Sequence, residues 1–124
     1  MINKTPIDHV NVPSAELADW PLPDQLVLEG RPQASGAVLN KSDDQRKVRG
    51  IWACTPGKFR WNWNYDETVF MLSGRATVEL RGGRRVELAP GDLAFFGKGE
   101  ESVWTIHEPL RKAFHADAPQ PLPF

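Results

Sequence analysis

The stretch FRWNWNYDETVFMLSG, residues 59–74, decides the fold class of this chain. Its first half alternates strictly, with polar residues between aromatic ones, so four aromatic side chains share one face of an extended strand: Phe59, Trp61, Trp63 and Tyr65. That face must be the buried one because the intervening positions are polar. The strand then runs into Glu67. The pattern predicts a barrel strand with a carboxylate at its end.

The rest of the chain from Val48 onward supports an all-β fold. Turn residues recur at short intervals between runs of β-branched and aromatic residues, which is typical of a sandwich or barrel. In ATVELRGGRRVEL, residues 76–88, the pair Gly82-Gly83 supplies the positive φ angles that a tight hairpin requires. Pro90-Gly91-Asp92 predicts the next turn. No segment keeps a 3.6-residue period over three turns, so we expect little helix.

The prolines indicate how the chain is organised. Five of the 11 prolines fall in the first 32 residues and three lie in the closing PQPLPF. At 124 residues the chain is long enough for one compact domain with a core. We predict an N-terminal arm with edge strands at residues 1–47, a barrel core at 48–115 and a proline-rich C-terminal tail at 116–124. Within the arm we expect one short helical turn at 15–19 and edge strands at 25–29 or 37–39.

Composition excludes several classes of partner. The net charge is −1, from 15 basic and 16 acidic residues, and the basic residues are dispersed, so no nucleic-acid partner is expected. The start, MINKTPIDHVNVP, lacks the apolar run of a signal peptide, and runs such as LAFF are far too short to span a membrane. The single cysteine, Cys54, has no internal disulfide partner and reads as a buried structural thiol. We expect a cytoplasmic protein without a membrane partner.

Two spacings resemble the motifs of the cupins. Glu67 followed by six residues and Gly74 resembles the first motif, and Gly91 with Gly99 resembles the second. The run GIWACTPGKFRWNW is similar to that of the small cupins grouped with the (S)-ureidoglycine aminohydrolase cupin domain and the ethanolamine-utilisation cupin. The resemblance covers about residues 30–115. It implies an RmlC-like jelly-roll β-barrel with an extended N-terminal arm.

The metal ligands of that family are largely missing. In metal-bearing cupins the first motif supplies two histidines and a glutamate, and the second supplies a third histidine. The matching positions here are Trp61, Trp63, Glu67 and Ser102. Indole has no in-plane lone pair to give a metal, and a lone hydroxyl is a poor ligand. We therefore expect no metal and no other cofactor.

The three histidines do not restore the metal set. His107 is predicted on the face opposite Ser102, His9 lies in the arm, and the register of His115 stays open. Nor does the resemblance transfer ureidoglycine hydrolysis, because that enzyme is a two-cupin chain that uses a metal.

The candidate ligand site is the interior of the barrel. We expect seven residues to converge there: Trp61, Trp63, Tyr65, Glu67, Ser102, Trp104 and Lys112. Aromatic walls with a few polar groups are typical of small-ligand pockets, and indole faces suit sugars or cations. The same indoles would also serve as a core plug that replaces the metal as organiser of the interior. Both interpretations remain open at this point.

Glu67 is the candidate catalytic residue. A buried carboxylate needs a donor, a cation or a proton. Lys112 or Arg111 are possible cations, and a tryptophan Nε1–H or the Ser102 hydroxyl are possible donors; without them, burial raises the pKa of the carboxyl and suits it to acid–base chemistry. Adjacent strand residues point to opposite faces, so only one of Arg111 and Lys112 faces the interior and the other is expected on the surface.

Three functions fit these observations. The first is a metal-free cupin that binds a small polar or sugar-like metabolite in its aromatic barrel. The second is an enzyme of isomerase, lyase or hydrolase type with Glu67 as acid or base. The third is a structural or regulatory homodimer with a filled barrel. A homodimer is expected in any case, because the arm has too few apolar residues to fold alone and must cover a sheet edge or cross to a partner.

Overall fold

A computed structural model describes residues 8–124. Within this range the chain forms nine β-strands and a single 3-10 turn at Asp24–Leu26, with no α-helix. The strands are β1 Ala18–Asp19, β2 Val27–Gly30, β3 Ala34–Lys41, β4 Lys47–Cys54, β5 Gly57–Asn62, β6 Asp66–Leu80, β7 Arg85–Leu88, β8 Leu93–Phe96 and β9 Glu101–Asp117. The all-β prediction is confirmed. None of the described residues belongs to a helix with the length and apolar character needed to cross a bilayer.

Two long strands, β6 and β9, hold the fold together. They pair with each other along most of their length, and their register shifts between Met71 and Ala76, where both bend. Each therefore belongs to two layers. The first layer has the order β1-β3-β4-β9-β6-β8, and the second has the order β2-β5-β9-β6-β7. All pairings are antiparallel, as in a jelly-roll barrel.

The hairpin turns are built as the glycines predict. Gly82 and Gly83, between β6 and β7, have φ angles of +89° and +90°. Gly91, between β7 and β8, has a φ of +91°, and the Asp92 N–H donates to the Ala89 carbonyl across that turn at 3.1 Å. Such φ angles cost an L-residue about 1–2 kcal/mol, so glycine is the residue that makes these turns tight.

Gly74 marks the bend of β6 and is doubly constrained. Its φ is +84°, and a Cβ there would lie 2.6 Å from the Leu110 Cα and closer still to the Pro109 carbonyl oxygen on β9. Gly82 has a similar φ but no atom within 4 Å of the same position. The two glycines thus share a backbone conformation, but only Gly74 has neighbouring backbone atoms in the space that a Cβ would take. Comparing the two positions therefore isolates the effect of that close contact.

We expect Gly74→Ala to be more destabilising than Gly82→Ala by about 1–3 kcal/mol, the usual cost of overpacking against backbone. The measurement is the free energy of unfolding from urea titration of both variants. Equal losses for the two would show that β6 and β9 do not approach closely at the bend.

The N-terminal arm differs from its prediction at one point. The predicted helical turn at 15–19 is wrong: Ala18–Asp19 is instead the short strand β1, paired to β3 through Ala18 and Gly36. Gly36 lacks a side chain, and Trp20 packs against the space that a Cβ would take. Pairing with the β3 edge therefore overrides the weak local helix preference.

The predicted edge strands of the arm are both present. β2 covers the later part of the predicted 25–29 strand, and β3 includes 37–39. β1 pairs only with Ser35 and Gly36 of β3, so residues 37–39 pair with β4 alone among the described strands and lie at an edge, as predicted. The sheet also extends past the predicted core of 48–115 at both ends, from Ala34 in β3 to Asp117 in β9.

Arg111 ties the arm to the barrel. The guanidinium donates to the carbonyl oxygens of Val12 at 2.7 Å and Ala15 at 3.2 Å. The expectation of a freely exposed surface charge at this position is corrected, since the side chain is half-buried under the arm. The Arg111 side chain is held there because backbone carbonyls of the arm that lie outside a sheet ladder need hydrogen-bond donors.

Cys54 is a buried thiol at the end of β4. It is 3% exposed, and burial raises its pKa from an ordinary 9.0 to about 12. Well below pH 9 the thiol is neutral in both the folded and unfolded states. Between pH 9 and about 12 the unfolded chain ionises first, so stability falls as the pH rises.

We therefore expect the folded protein to resist thiol reagents at pH 8 and to react once unfolded in denaturant, which a disulfide-exchange colour assay measures. In addition, Cys54→Ala should flatten the loss of stability above pH 9. Rapid labelling of the native protein at pH 8 would be inconsistent with the buried position.

Candidate functional site

The barrel contains a cavity of about 280 Å³. Its wall is made chiefly of the aromatic side chains Trp52, Phe59, Trp61, Trp104 and Phe114. These residues lie at inward positions of β4, β5 and β9, where period-2 alternation directs every second side chain to the interior. Three polar side chains, from Tyr65, Glu67 and Lys112, also line the cavity. It is thus an apolar chamber with a small polar group of residues on its wall.

A buried ion pair forms that polar group. The Lys112 Nζ lies 3.1 Å from the Glu67 Oε2, and both side chains are less than a tenth exposed. The pair arises from register: in β9, Lys112 is opposite Met71 of β6 and Trp52 of β4, on the inward face. Of the alternatives that the sequence left open, Lys112 is the cation and Arg111 faces outward. The carboxylate therefore has the cationic partner that burial demands.

Trp63 supplies the second partner of Glu67. Its Nε1–H donates to the Glu67 Oε1 at 2.8 Å, so both carboxylate oxygens are engaged. The indole is 2% exposed and stacks on Phe96 with 4.5 Å between ring centroids. Trp63 does not line the cavity. It acts as a packed core residue that also orients the carboxylate, whereas Trp61, two residues earlier, is half-buried and does line the cavity.

Lys112 is also placed over aromatic rings. Its Nζ lies 4.9 Å from the centroid of Trp52 and 5.0 Å from that of Trp104. Indole faces attract an ammonium, and the attraction grows when the site is dry. Glu67 takes one of the three N–H donors of the ammonium. The other donors are available to an acceptor in the cavity.

Tyr65 adds a neutral hydroxyl to the wall. Burial, and after it the nearby Glu67 carboxylate, raise the pKa of the phenol. The group therefore stays protonated at physiological pH and acts as a hydrogen-bonding hydroxyl, not as a base.

The arm and the tail form one part of the cavity wall. Trp20 and Phe124 both line it, and their rings meet edge to face at 5.2 Å between centroids. Phe124 also contacts Tyr65, at 5.8 Å between centroids. The tail is fixed by the buried Leu122, whose N–H donates to the Gln45 carbonyl at 2.9 Å. Two segments outside the barrel strands thus form part of the wall of a cavity that stays partly open.

Five of the seven residues predicted for the site line this cavity: Trp61, Tyr65, Glu67, Trp104 and Lys112. Trp63 touches it only through Glu67. Ser102 is buried, but its hydroxyl donates to the Trp61 carbonyl oxygen at 2.7 Å and lies outside the lining. The Ser102 hydroxyl therefore links β9 to β5 and does not contribute to the cavity wall.

Five aromatic residues line the cavity but were not among the predicted site residues: Trp20, Trp52, Phe59, Phe114 and Phe124. Of these, Phe59 was predicted on the inner face of its strand but not in the site. Trp52 and Phe114 were accessible in principle, because alternation in VRGIWAC and LRKAF places them on the faces of Cys54 and Lys112. Trp20 and Phe124 had no such signal, since they lie in proline-rich segments without a period.

The donors of the cupin metal site do not fit a metal here. Three of the four positions carry Trp61, Trp63 and Ser102, and none of these offers a strong ligand atom. The fourth, Glu67, faces the Lys112 ammonium at 3.1 Å, and a positive charge there opposes a second cation. Within residues 8–124 no three His, Cys, Asp or Glu side chains are grouped as a metal site would require.

The histidines lie away from the chamber. His9 and His107 are exposed, and the His107 Nε2 is 2.7 Å from the Oγ1 of the buried Thr77. His115 is opposite Arg49 and Thr68 in the sheet, on the outward face. Burial, and after it the Arg49 charge, lowers the pKa of His115, so its imidazole is neutral near pH 7.

Comparison with known proteins agrees with the fold. Residues 41–114 match the family described as the EutQ-like cupin domain. No curated protein is similar enough in sequence to be matched to the chain. A putative ethanolamine utilization protein Q from Salmonella typhimurium is 23% identical, covering 68% of this chain and 69% of that one, with a TM-score of 0.61. The EutQ protein of Clostridium difficile is 18% identical, covering 89% and 86%, with a TM-score of 0.70.

Two further solved structures belong to the DUF861 family. One, of unknown function, from Pseudomonas syringae, is 23% identical with a TM-score of 0.76; the match covers 83% of this chain but only 45% of that protein, which is therefore much longer. The other, from Thermotoga maritima, is 33% identical over 52% of this chain and 73% of that one, with a TM-score of 0.51. At these identities the structures establish a shared cupin fold.

Proposed function

Since the chain belongs to the EutQ-like cupin domain family, we propose that it binds a small polar or sugar-like metabolite in the aromatic cavity of a barrel that carries no metal. The observation that carries this proposal is the cavity itself, with the Glu67–Lys112 ion pair on an otherwise aromatic wall. A filled barrel, the third of the functions that the sequence allowed, is disfavoured by the same cavity.

The size of the cavity favours a small ligand. Its volume of about 280 Å³ is close to the lower end of small-molecule pockets, which start near about 300 Å³. A monosaccharide or a metabolite of similar size matches this volume.

The chemistry of the wall favours a ligand with both a flat apolar face and hydrogen-bonding groups. The indoles of Trp52, Trp61 and Trp104 offer such a ligand stacking surface. Lys112 has N–H donors beyond the one that Glu67 takes, and Tyr65 has a hydroxyl that donates and accepts. Because the ion pair is neutral as a whole, the site does not demand a charged ligand.

Trp61 is the residue with which to test ligand binding. It lines the cavity and is only half-buried, so Trp61→Ala removes stacking surface without opening the core. Phe95→Ala is the matched control, because that aromatic ring is 64% exposed and lies outside the cavity. Monosaccharides and small polar metabolites are first screened by thermal shift, and each hit is titrated by intrinsic tryptophan fluorescence.

We expect a saturable fluorescence change, because four of the five tryptophans line the cavity. Trp61→Ala should weaken binding by about tenfold or more, as the loss of one aromatic contact predicts, while Phe95→Ala should leave it unchanged. If no compound of this class saturates the wild-type protein, or if Trp61→Ala binds as tightly, the proposal is wrong.

The second candidate function is acid–base catalysis at Glu67. The specific observation in its favour is a carboxylate that lines the cavity beside an ammonium, an arrangement that supports proton transfer. For any ligand found in the screen, turnover abolished by Glu67→Gln with ligand affinity retained would establish an enzyme. Binding without turnover in the wild type would establish the binding protein.

A further inference from the structure

The cavity wall carries one negative and one positive side chain, and these two are paired with each other. Among residues 8–124, Glu67 and Lys112 are the only acidic or basic side chains that line the cavity, and they lie 3.1 Å apart. The third polar side chain, Tyr65, keeps a neutral phenol because burial raises its pKa. A ligand that reaches the pair therefore meets an ammonium and a carboxylate side by side on an otherwise uncharged wall.

Both members of the pair keep hydrogen-bonding capacity. The Lys112 ammonium has three N–H donors, of which one is directed to the Glu67 Oε2. Each carboxylate oxygen has two acceptor positions, and one is taken on each oxygen, by the Trp63 Nε1–H on Oε1 and by Lys112 on Oε2. Donor positions and acceptor positions for a ligand thus lie next to each other.

A carboxylate is a poor match for this pair. If a ligand carboxylate accepted a hydrogen bond from Lys112, the tetrahedral ammonium would place it roughly 4–5 Å from the Glu67 Oε2. It would lose its hydration on entering, yet Glu67 would repel it and would already share the charge of the lysine. A ligand ammonium that approached Glu67 would be repelled by Lys112 in the same way.

Lys112 also takes the position that a ligand cation would occupy over the indoles. Its Nζ lies 4.9 Å from the ring centroid of Trp52 and 5.0 Å from that of Trp104. Indole faces attract a cation, and here they already face the ammonium of the protein itself. Next to the ion pair, the aromatic wall therefore does not form a cage for a cationic ligand.

An uncharged group with a donor and an acceptor on neighbouring atoms matches both members of the pair. Its acceptor receives an N–H of Lys112, and its donor is directed to the Glu67 carboxylate, so both hydrogen bonds are strengthened by a charge on the protein side. The ligand itself brings no charge that must lose its hydration. A carboxamide and a vicinal diol both present this arrangement, and both leave an apolar face for stacking on indole.

We propose that the Glu67–Lys112 pair selects ligands by charge, so that the end of the ligand in contact with the pair is uncharged and carries a neighbouring donor and acceptor. This inference rests on the proposed binding function and narrows its class of ligand. Glu67 and Lys112 are then specificity-determining residues that exclude carboxylates and ammonium groups of similar shape.

Probes of nearly equal shape test this selection by isothermal titration calorimetry of the full chain. Benzamide is uncharged, benzoate is an anion and benzamidine is a cation near pH 7, while acetophenone keeps the carbonyl of benzamide and lacks its N–H donors. The diol arm compares cis-cyclohexane-1,2-diol with cyclohexanol. We expect benzamide to bind about tenfold or more tightly than the other three planar probes, or the diol to exceed cyclohexanol by the same factor.

Two variants should change the selection in opposite directions. Glu67→Gln leaves the Lys112 ammonium without its counter-charge, so the affinity for benzoate relative to benzamide should rise by about tenfold or more. Lys112→Met leaves the Glu67 carboxylate, so benzamidine should gain instead. Loss of a merely structural pair would weaken all probes alike. Glu29→Gln, in the exposed Lys58–Glu29 pair outside the cavity, is the control and should keep the wild-type order.

Circular dichroism checks that each variant is folded, and Glu67→Gln alone decides the matter if Lys112→Met does not fold. Benzoate or benzamidine binding the wild type as tightly as benzamide or the diol, or an order of affinities that Glu67→Gln leaves unchanged, would overturn the charge selection. So would the absence of binding by both benzamide and the diol at millimolar concentrations. The proposed binding function is judged separately, by the metabolite screen and the response to Trp61→Ala.

Discussion

Lys112→Met is expected to destabilise the protein by about 3–5 kcal/mol, the usual cost of breaking a buried ion pair from one side. Methionine keeps the apolar stem and most of the volume of lysine, so the change removes the charge more than the packing. Glu67 would then be buried with Trp63 Nε1–H as its donor and no cation at 3.1 Å. Urea titration of the free energy of unfolding measures the loss.

The double variant Lys112→Met/Glu67→Gln separates the pair from its surroundings. Removing both charges leaves no uncompensated ion, so we expect the double variant to be more stable than Lys112→Met alone. The control is Lys58→Met, which breaks the exposed Lys58–Glu29 pair and should cost within about 1 kcal/mol. If Lys112→Met costs no more than Lys58→Met, the interior pair is not a buried ion pair in solution.

Trp63→Ala is expected to cost about 3–5 kcal/mol, the range for deleting a large aromatic from a packed core. Its indole is 2% exposed, is stacked on Phe96 at 4.5 Å, and holds the Glu67 Oε1 at 2.8 Å. The variant therefore loses packing and also leaves a carboxylate oxygen without its donor. The measurement is again the free energy of unfolding.

Trp61→Ala is the internal control for this prediction, because the same residue type lies two positions away in the same motif. Trp61 is half-buried and borders the cavity, so truncating it removes fewer packing contacts. We expect a clearly smaller loss than for Trp63→Ala. Similar losses for both would mean that the two indoles have equivalent environments, contrary to the structure.

The barrel was predictable from sequence because its determinants are local. Period-2 alternation in FRWNWNYDE fixes which side chains point inward, and the glycines at positions 82, 83 and 91 fix where the strands reverse. The same rule placed one member of Arg111-Lys112 inside, although it did not say which. That choice depends on the pairing of β9 with β4 and β6, which is a long-range property.

The difference between Trp61 and Trp63 was not predictable, because alternation gives them the same face. β5 ends at Asn62, and Trp63 lies beyond the ladder, where its N–H donates to the Glu100 carbonyl. Its ring is consequently free to turn into the core against Phe96, while Trp61 stays at the cavity. Alternation applies to residues within a strand, and the ends of strands are set by tertiary contacts.

The contribution of the arm and the tail to the cavity wall was also not predictable from the sequence. Trp20 and Phe124 are 104 positions apart, in segments whose prolines give no period from which to infer a buried face. The arm is held by Arg111 and by pairing of Ala18 with Gly36, and these contacts exist only once the barrel has formed. The helical turn predicted at 15–19 is wrong for the same reason.

Elemental analysis of protein purified without a histidine tag tests most directly whether an ion pair or a metal ion holds the centre of this barrel. We expect no transition metal at stoichiometric level, because Glu67 is the only strong ligand among the four motif positions and it faces the Lys112 ammonium at 3.1 Å. About one equivalent of manganese, iron, nickel or zinc per chain, lost in Glu67→Gln, would contradict this and favour the enzyme.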